Sequence, residues 1–267
     1  MERIGLIAGN RKFPFLFAEA ARKKGSRVVA VAIKKDTNPR LNAAVDKVYW
    51  LGLGEFSRMI EIFKTEGITK VVMAGQISPA RLFSPEVQRS EELREFLGSL
   101  SDKRADSIFA AVARRLEESG IELLDSTLFM EEHLPKKGVL TKRPPDFKEW
   151  EDVYFGFELA KAIGMLDIGQ TVAVKNKAVV AVEALEGTDN LIRRAGRIAR
   201  GGFTLVKVSK PKQDMRFDVP VVGLNTVKRL LSSGGRCLAI ESGKTLFIDK
   251  AASIKLADKS RIAVVAV

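Results

Sequence analysis

Residues 210–223 read K-P-K-Q-D-M-R-F-D-V-P-V-V-G, with two aspartates, an arginine, two lysines and a glutamine beside a short apolar run. As a strand, this segment turns Met215, Phe217 and Val219 one way and Asp214, Arg216 and Asp218 the other. Arg216 can then neutralise its two neighbours on a solvated face, or the same charges can hold a charged ligand. In a straight strand at ~3.3 Å per residue, Asp214 and Asp218 stand about 13 Å apart, too far to ligate one ion. One would act, as metal ligand or base, and the other would support it. Lys210 and Lys212 frame Asp214, which suits a phosphate beside a carboxylate-held Mg2+. Gln213 and Arg216 add donors for a substrate oxygen.

Residues 186–197, E-G-T-D-N-L-I-R-R-A-G-R, are equally dense. Thr188 or Asp189 can cap a helix here. Capping does not call for Glu186 or for Arg193, Arg194 and Arg197. A carboxylate at a helix start, with Arg193 and Arg197 sharing a face one turn on, can hold a metal-bound diphosphate.

Two turns near the front of the chain are candidates for binding. A-G-N-R-K-F-P, from Ala8, follows a strand and opens a helix, where outward N–H groups suit phosphate; Gly9 and Arg11 are its binding candidates. It lacks the G-x-G-x-x-G spacing, which argues against a nicotinamide dinucleotide and an oxidoreductase. G-Q-I-S-P, residues 75–79, ends another strand. Gly75 there permits close backbone approach, and Gln76 offers two donors and an acceptor to a base or sugar. S-G-K-T at 242–245 lacks the earlier glycine of a phosphate loop and precedes a strand, so it is expected to be a hairpin turn.

The elements that must position these residues fall into two sets. Strands over 3–8, 27–33, 47–51, 70–74 and 121–124 alternate with helices over 13–24, 55–66 and 105–118. Continuous apolar runs between helices predict a doubly wound, Rossmann-like parallel sheet with ligands at its carboxyl ends. A Pro- and Lys-rich stretch near 134 marks a boundary. The second half opens on a helix over 147–163 and a hairpin, 170–175 with 178–184, across Asn176-Lys177. Helices over 188–200 and 226–233 then alternate with strands over 203–208, 236–240, 245–248 and 261–265. The fold class is therefore α/β in two domains: residues 1–134, a linker over 135–147, and a mixed α/β domain over 148–267.

Composition narrows the chemistry. Of 267 residues, 45 are Lys or Arg and 33 Asp or Glu, giving a net charge of +12. This favours acidic partners: phosphorylated small molecules, an anionic membrane surface or nucleic acid. Aromatics, at 7% and scattered, argue against nucleic acid. A non-catalytic basic binding module remains the rival to an enzyme. The single His133, in polar surroundings, excludes a His-rich metal site built from one chain. The single Cys237, in an apolar run, permits no disulfide within the chain and suits a reducing cytoplasm. No signal peptide and no apolar run near the ~20 residues of a membrane span are expected.

Four stretches together carry a resemblance: G-L-I-A-G near the start, D-I-G-Q-T-V-A-V from Asp167, A-V-E-A-L-E-G-T-D from Ala181 and K-x-x-Q-D-x-R-F-D-V-P from Lys210. The chain resembles, nearly end to end, the UDP-2,3-diacylglucosamine pyrophosphatase family of lipid A synthesis, the type without the metallophosphoesterase fold. The resemblance implies a nucleotide-binding first domain and a second domain that holds the acylated sugar, with the active site between them. It implies Mg2+-dependent hydrolysis of UDP-2,3-diacylglucosamine to UMP and 2,3-diacylglucosamine 1-phosphate (lipid X), by attack of water on the sugar-side phosphorus. An essential aspartate carries over to Asp214, with Asp218 as alternate and Lys210 beside them. Asp214, Asp189 and Glu186 are the expected metal ligands. Gln170 matches the family's D-x-G-Q, and Thr188 its E-G-T-D. A homodimer, cytoplasmic or peripheral at the inner membrane, is the implied setting. The first turn departs from the family's glycine-rich form, although Arg11 and Lys12 suit phosphate.

Overall fold

The computed structural model describes residues 2–77, 81, 85–102 and 104–267. The chain forms two compact units, one of Met1–Glu131 with Asp214–Asp218, the other of Glu132–Gln213 with Val219–Val267. Both are α/β.

In the first unit, β1 (Arg3–Ala8), α1 (Phe13–Lys23), β2 (Arg27–Ile33), β3 (Lys47–Leu51), α2 (Phe56–Thr65) and β4 (Lys70–Ala74) come first. They are followed by α3 (Pro85–Arg89), α4 (Glu91–Gly98), α5 (Ala105–Glu118) and β5 (Glu122–Leu123). The described strands pair in the order β3-β2-β1-β4-β5, every pair parallel. Val, Ile and Ala fill β1 and β2 without polar interruption because helices cover both faces. Gly5 is required for that cover: a Cβ there would stand 2.6–2.9 Å from Val71, Ile68 and Phe63. The strand order reverses between β1 and β4, the place where open α/β sheets bind ligands beyond their strand ends.

The second unit contains β6 (Gly138–Val139), α6 (Phe147–Met165), β7 (Thr171–Lys175), β8 (Ala178–Val182), α7 (Thr188–Ala199) and β9 (Thr204–Lys207). After these come β10 (Val221–Val222), α8 (Leu224–Ser232), β11 (Cys237–Ile240), β12 (Leu246–Phe247), α9 (Lys250–Lys259) and β13 (Ala263–Ala266). Its six-stranded sheet runs β6-β13-β11-β9-β7-β8. The inner β9, β11 and β13 are parallel, and β7, β8 and β6 are antiparallel to their neighbours. Val153 and Ala160 of α6 pack with Val172, Val174, Val206 and Val208 on one face. Leu191 and Ile192 of α7, Val227 and Leu230 of α8, and Ala257 of α9 cover Ala173, Ala181 and Leu205 on the other.

The β7–β8 hairpin forms across Asn176-Lys177 as expected, both residues at positive φ (52° and 57°), and their N–H groups donate to Asp152. The stretch 135–147, read from sequence as a linker, supplies β6 and the cap of α6. Asp146 and Glu149 form a capping box, and Arg143 grips Glu149 with two bonds of 2.7 and 2.8 Å.

Two expectations are corrected. Residues 242–245 do not turn a hairpin: β11 already has β9 and β13 on its two sides, so no edge is left for β12, which pairs in parallel with β10 instead. Residues 214–218 are not a strand but a turn. The Phe217 N–H donates to the Asp214 carbonyl at 3.2 Å and the Arg216 N–H to Asp214 Oδ1 at 3.0 Å. An aspartate that caps the N–H two residues on closes such a turn in preference to extending a strand.

Candidate active site

The first unit gathers Gly9, Arg11, Gly75 and Gln76 at the switch point. Gly9 N–H donates to the Ala74 carbonyl and Asn10 N–H to the Gln76 carbonyl, each at 2.8 Å, so the turns after β1 and β4 are zipped together. A Cβ on Gly9 would lie 2.7–2.8 Å from the Gly75–Gln76 backbone, and one on Gly75 2.6 Å from the Asn10 carbonyl. Gly75 also has φ of 90°. Both glycines are fixed by this approach. Arg11 and Gln76 are exposed beside it, and Asn10 Oδ1 is buried without a hydrogen-bond partner. Ser78 and Pro79 of the second turn lie outside the described residues.

The same unit holds the 214–218 turn. Phe217 is buried in its core and stacks on Phe109 at 5.4 Å. The buried Ser126 takes up the turn's backbone: its N–H donates to the Met215 carbonyl at 2.8 Å, and its hydroxyl lies 2.7 Å from the carbonyls of Arg216 and Met73. Arg216 donates from Nε and Nη2 to both Asp214 oxygens, at 2.7–3.1 Å, and reaches Glu117 at 2.7 Å. These Arg216 bonds hold the Asp214 carboxyl below the usual carboxylate range. The same bonds favour the charged form of Asp214. Asp218 stands at positive φ, 53°.

The second unit places its polar residues at the carboxyl ends of β9 and β11. Lys210, buried, forms an ion pair with Asp167, itself at positive φ. Gln213 Oε1 accepts from Lys210 N–H at 3.3 Å. Nearby, Lys161 on α6 donates to Glu241 at 2.6 Å, and the Ser209 N–H and hydroxyl donate to the same carboxylate oxygen. Cys237 lies buried in the α6-facing core, and burial pushes its thiol well above its ordinary value.

On the α7 side the expected helix cap is absent. Gly187 occupies the cap position without a side-chain bond. The Thr188 hydroxyl instead donates to Glu183 at 2.6 Å and accepts from Lys207 at 2.8 Å. Glu186, exposed, pairs with Arg194, which also donates to the Val182 carbonyl at 2.8 Å; Arg193 donates to Asn190. Gln170 Oε1 is buried and unpartnered.

The structure thus brings Gly9, Arg11, Gly75 and Gln76 together, and separately ties Thr188 to residues that sequence reasoning passed over, Glu183 and Lys207. A signal existed for both. Each is a charge inside an apolar strand run, A-V-V-A-V-E and F-T-L-V-K-V. The residues of the expected metal set fall in both units. Asp214 lies in the first unit with Arg216, while Glu186 and Asp189 lie in the second, and among the described residues no three His, Cys, Asp or Glu side chains cluster to hold an ion.

Comparison with known proteins adds the remaining observation. Residues 3–133 match the LpxI N-terminal domain family and residues 136–265 the LpxI C-terminal domain family. The chain is 30% identical to the UDP-2,3-diacylglucosamine pyrophosphatase LpxI of Caulobacter vibrioides, over 97% of this chain and 95% of that protein. Among solved structures, the biotin carboxylase domain of a thermophilic 2-oxoglutarate carboxylase is 16% identical, with a TM-score of 0.28, over 65% of this chain and 34% of that one. N5-carboxyaminoimidazole ribonucleotide synthetase from Thermotoga maritima is 17% identical, with a TM-score of 0.25, over 71% of this chain and 43% of that one. Superpositions this loose carry no argument.

Proposed function

The chain belongs to the LpxI family, and from that membership we propose that it hydrolyses the diphosphate of UDP-2,3-diacylglucosamine, giving UMP and 2,3-diacylglucosamine 1-phosphate. The observation that carries this reading is end-to-end similarity, through both domains, to a protein named for that activity.

The geometry supports it residue by residue. The zipped turns at Gly9 and Gly75, with Arg11 and Gln76 exposed beside them, suit a nucleotide at the switch point. Asp214, kept ionised by Arg216, is the proposed essential carboxylate, with Asp218 at the end of the same turn. Lys210 and Gln213 precede it in the chain, where Lys210 holds Asp167 and thereby the start of the D-I-G-Q segment. Gln170, Thr188 and Arg193 are the proposed contacts to the acylated sugar phosphate.

Mg2+ stays in the proposal as a companion of the diphosphate, neutralising its charge. Asp214, Asp189 and Glu186 are its proposed ligands, and no step is derived through it. The homodimer and peripheral membrane contact belong to the proposal too; light scattering and vesicle co-sedimentation test them. Among the described residues no helix is long and apolar enough to cross a membrane.

The test is phosphorus NMR of UDP-2,3-diacylglucosamine incubated with the pure protein and Mg2+ in 18O-labelled water. UMP together with a labelled sugar phosphate is expected. Label in UMP would move the attack to the other phosphorus. Absence of cleavage with either Mg2+ or Mn2+ would overturn the reading in favour of a basic binding module.

A further inference from the structure

Thr171 of β7, Lys207 of β9 and Glu183, the residue just past β8, form a row. Thr171 and Lys207 are register partners, and the Glu183 N–H donates to the Thr171 carbonyl at 2.9 Å. By strand alternation they share the face of Ala173, Ala181 and Leu205, which α7 covers. Thr188, in the first turn of α7, closes the row from above.

All three residues are more than nine-tenths buried: Thr171 is 0%, Lys207 6% and Glu183 7% exposed. A buried carboxylate and a buried ammonium normally need each other. Here they are joined only through the Thr188 hydroxyl, whose single proton goes to Glu183 Oε1 while its lone pair takes Lys207. Glu183 Oε2 and Thr171 Oγ1 are buried with no partner, and Lys207 gives one of its three N–H donors to Thr188. The row therefore holds both unmet acceptors and an under-used ammonium. Thr188 is half-buried and residues 184–186 are exposed, so the row lies directly beneath the surface.

The charges select the ligand. A phosphoryl oxygen against Glu183 would set anion beside anion. A divalent cation would meet the Lys207 ammonium. An uncharged hydroxyl satisfies both sides, donating to Glu183 and accepting from Lys207. We propose that Glu183, Thr188 and Lys207, with Thr171, form a subsite that recognises a sugar hydroxyl. This rests on the function proposed above, whose substrate has hydroxyls at sugar positions 4 and 6 once positions 1, 2 and 3 are substituted. Neither Glu183 nor Lys207 acts on phosphorus in this assignment. They set specificity.

Calorimetry with 2,3-diacylglucosamine 1-phosphate, its 4-deoxy and 6-deoxy analogues and UMP tests it, on the full-length wild type, E183Q, T188V and T188S. Wild type should bind one deoxy analogue about tenfold or more weaker than the parent sugar phosphate, the scale of a lost hydrogen bond to a charged group. E183Q and T188V should bind the parent about that much more weakly, lose discrimination against the same analogue, and leave UMP affinity unchanged. T188S should restore both affinity and discrimination. The proposal fails if E183Q and T188V bind the sugar phosphate like wild type, or if turnover alone falls. It fails too if T188S, folded by thermal melt, behaves as T188V does. Wild type that neither binds the sugar phosphate nor cleaves the substrate would bring down the functional reading itself, a distinct outcome.

Discussion

The Asp214–Arg216 pair and the Glu183–Thr188–Lys207 row are both charged and polar, and they are built in opposite ways. Arg216 meets both oxygens of Asp214, and both residues are about one-third exposed. Glu183 and Lys207 are buried and leave a carboxylate oxygen without a partner. The first arrangement fixes a charge in place. The second leaves hydrogen-bonding capacity where water is scarce, which is costly unless a ligand or water uses it. Density of charge in a sequence therefore does not separate a position that holds itself from one that holds something else.

The comparison breaks hardest at Phe217, because the whole 214–218 turn depends on its burial. F217A should cost about 3–5 kcal/mol of the first unit's stability, the range for emptying a buried aromatic site. A urea melt followed by a probe in that unit would show it as a lowered midpoint. An unchanged midpoint would mean that the backbone bonds to Ser126 hold the turn alone.

D214A removes the charge while leaving that anchor in place. Turnover is expected to fall by about two orders of magnitude or more with substrate affinity retained, as for a group that acts chiefly on the transition state. Equal loss in affinity would make Asp214 a binding residue.

R216M sharpens the contrast through pH. Arg216 depresses the Asp214 carboxyl, so removing it should raise that carboxyl toward its ordinary value near ~3.9. The acid limb of turnover then moves to higher pH. For stability the sign is the same: the depressed Asp214 contributes fully above ~3.9 and loses its contribution as pH falls through its folded value. At one-third exposure this stability effect is small.

The smallest effect is expected at Glu117, a half-exposed outer partner of Arg216. E117A should stay within about 0.5 kcal/mol of wild type in the same urea melt. A larger loss would show that Arg216 depends on Glu117 to hold the Asp214 pair.

Much of the fold was readable in advance. The runs at β1, β2, β3 and β4 reproduce the expected bounds; β1 and β2 do so because a strand buried on both faces needs an uninterrupted apolar stretch. The Asn176-Lys177 turn was also readable, since a two-residue hairpin needs positive φ at both positions. The 214–218 turn was not. Its alternation of Asp, Met, Arg, Phe and Asp mimics a strand, and only the packing of Phe217 on Phe109 and the Ser126 bonds hold it as a turn. The pairing of β12 was hidden for a similar reason, since whether β11 has a free edge depends on β13, more than twenty residues on.

At the site, the sequence by itself determined the stock of groups: glycines at strand ends, carboxylates and basic residues in motifs whose order marks the family. The tertiary structure decided which of them are satisfied. Glu183 and Glu186 are three residues apart in A-V-E-A-L-E, and their residue type does not distinguish them. Directly after β8 the chain turns Glu183 inward, while the loop beyond leaves Glu186 outside against Arg194. Whether a hydrogen-bonding group is complete depends on atoms brought to it from Thr171, Thr188 and Lys207, and no local stretch of chain contains them all.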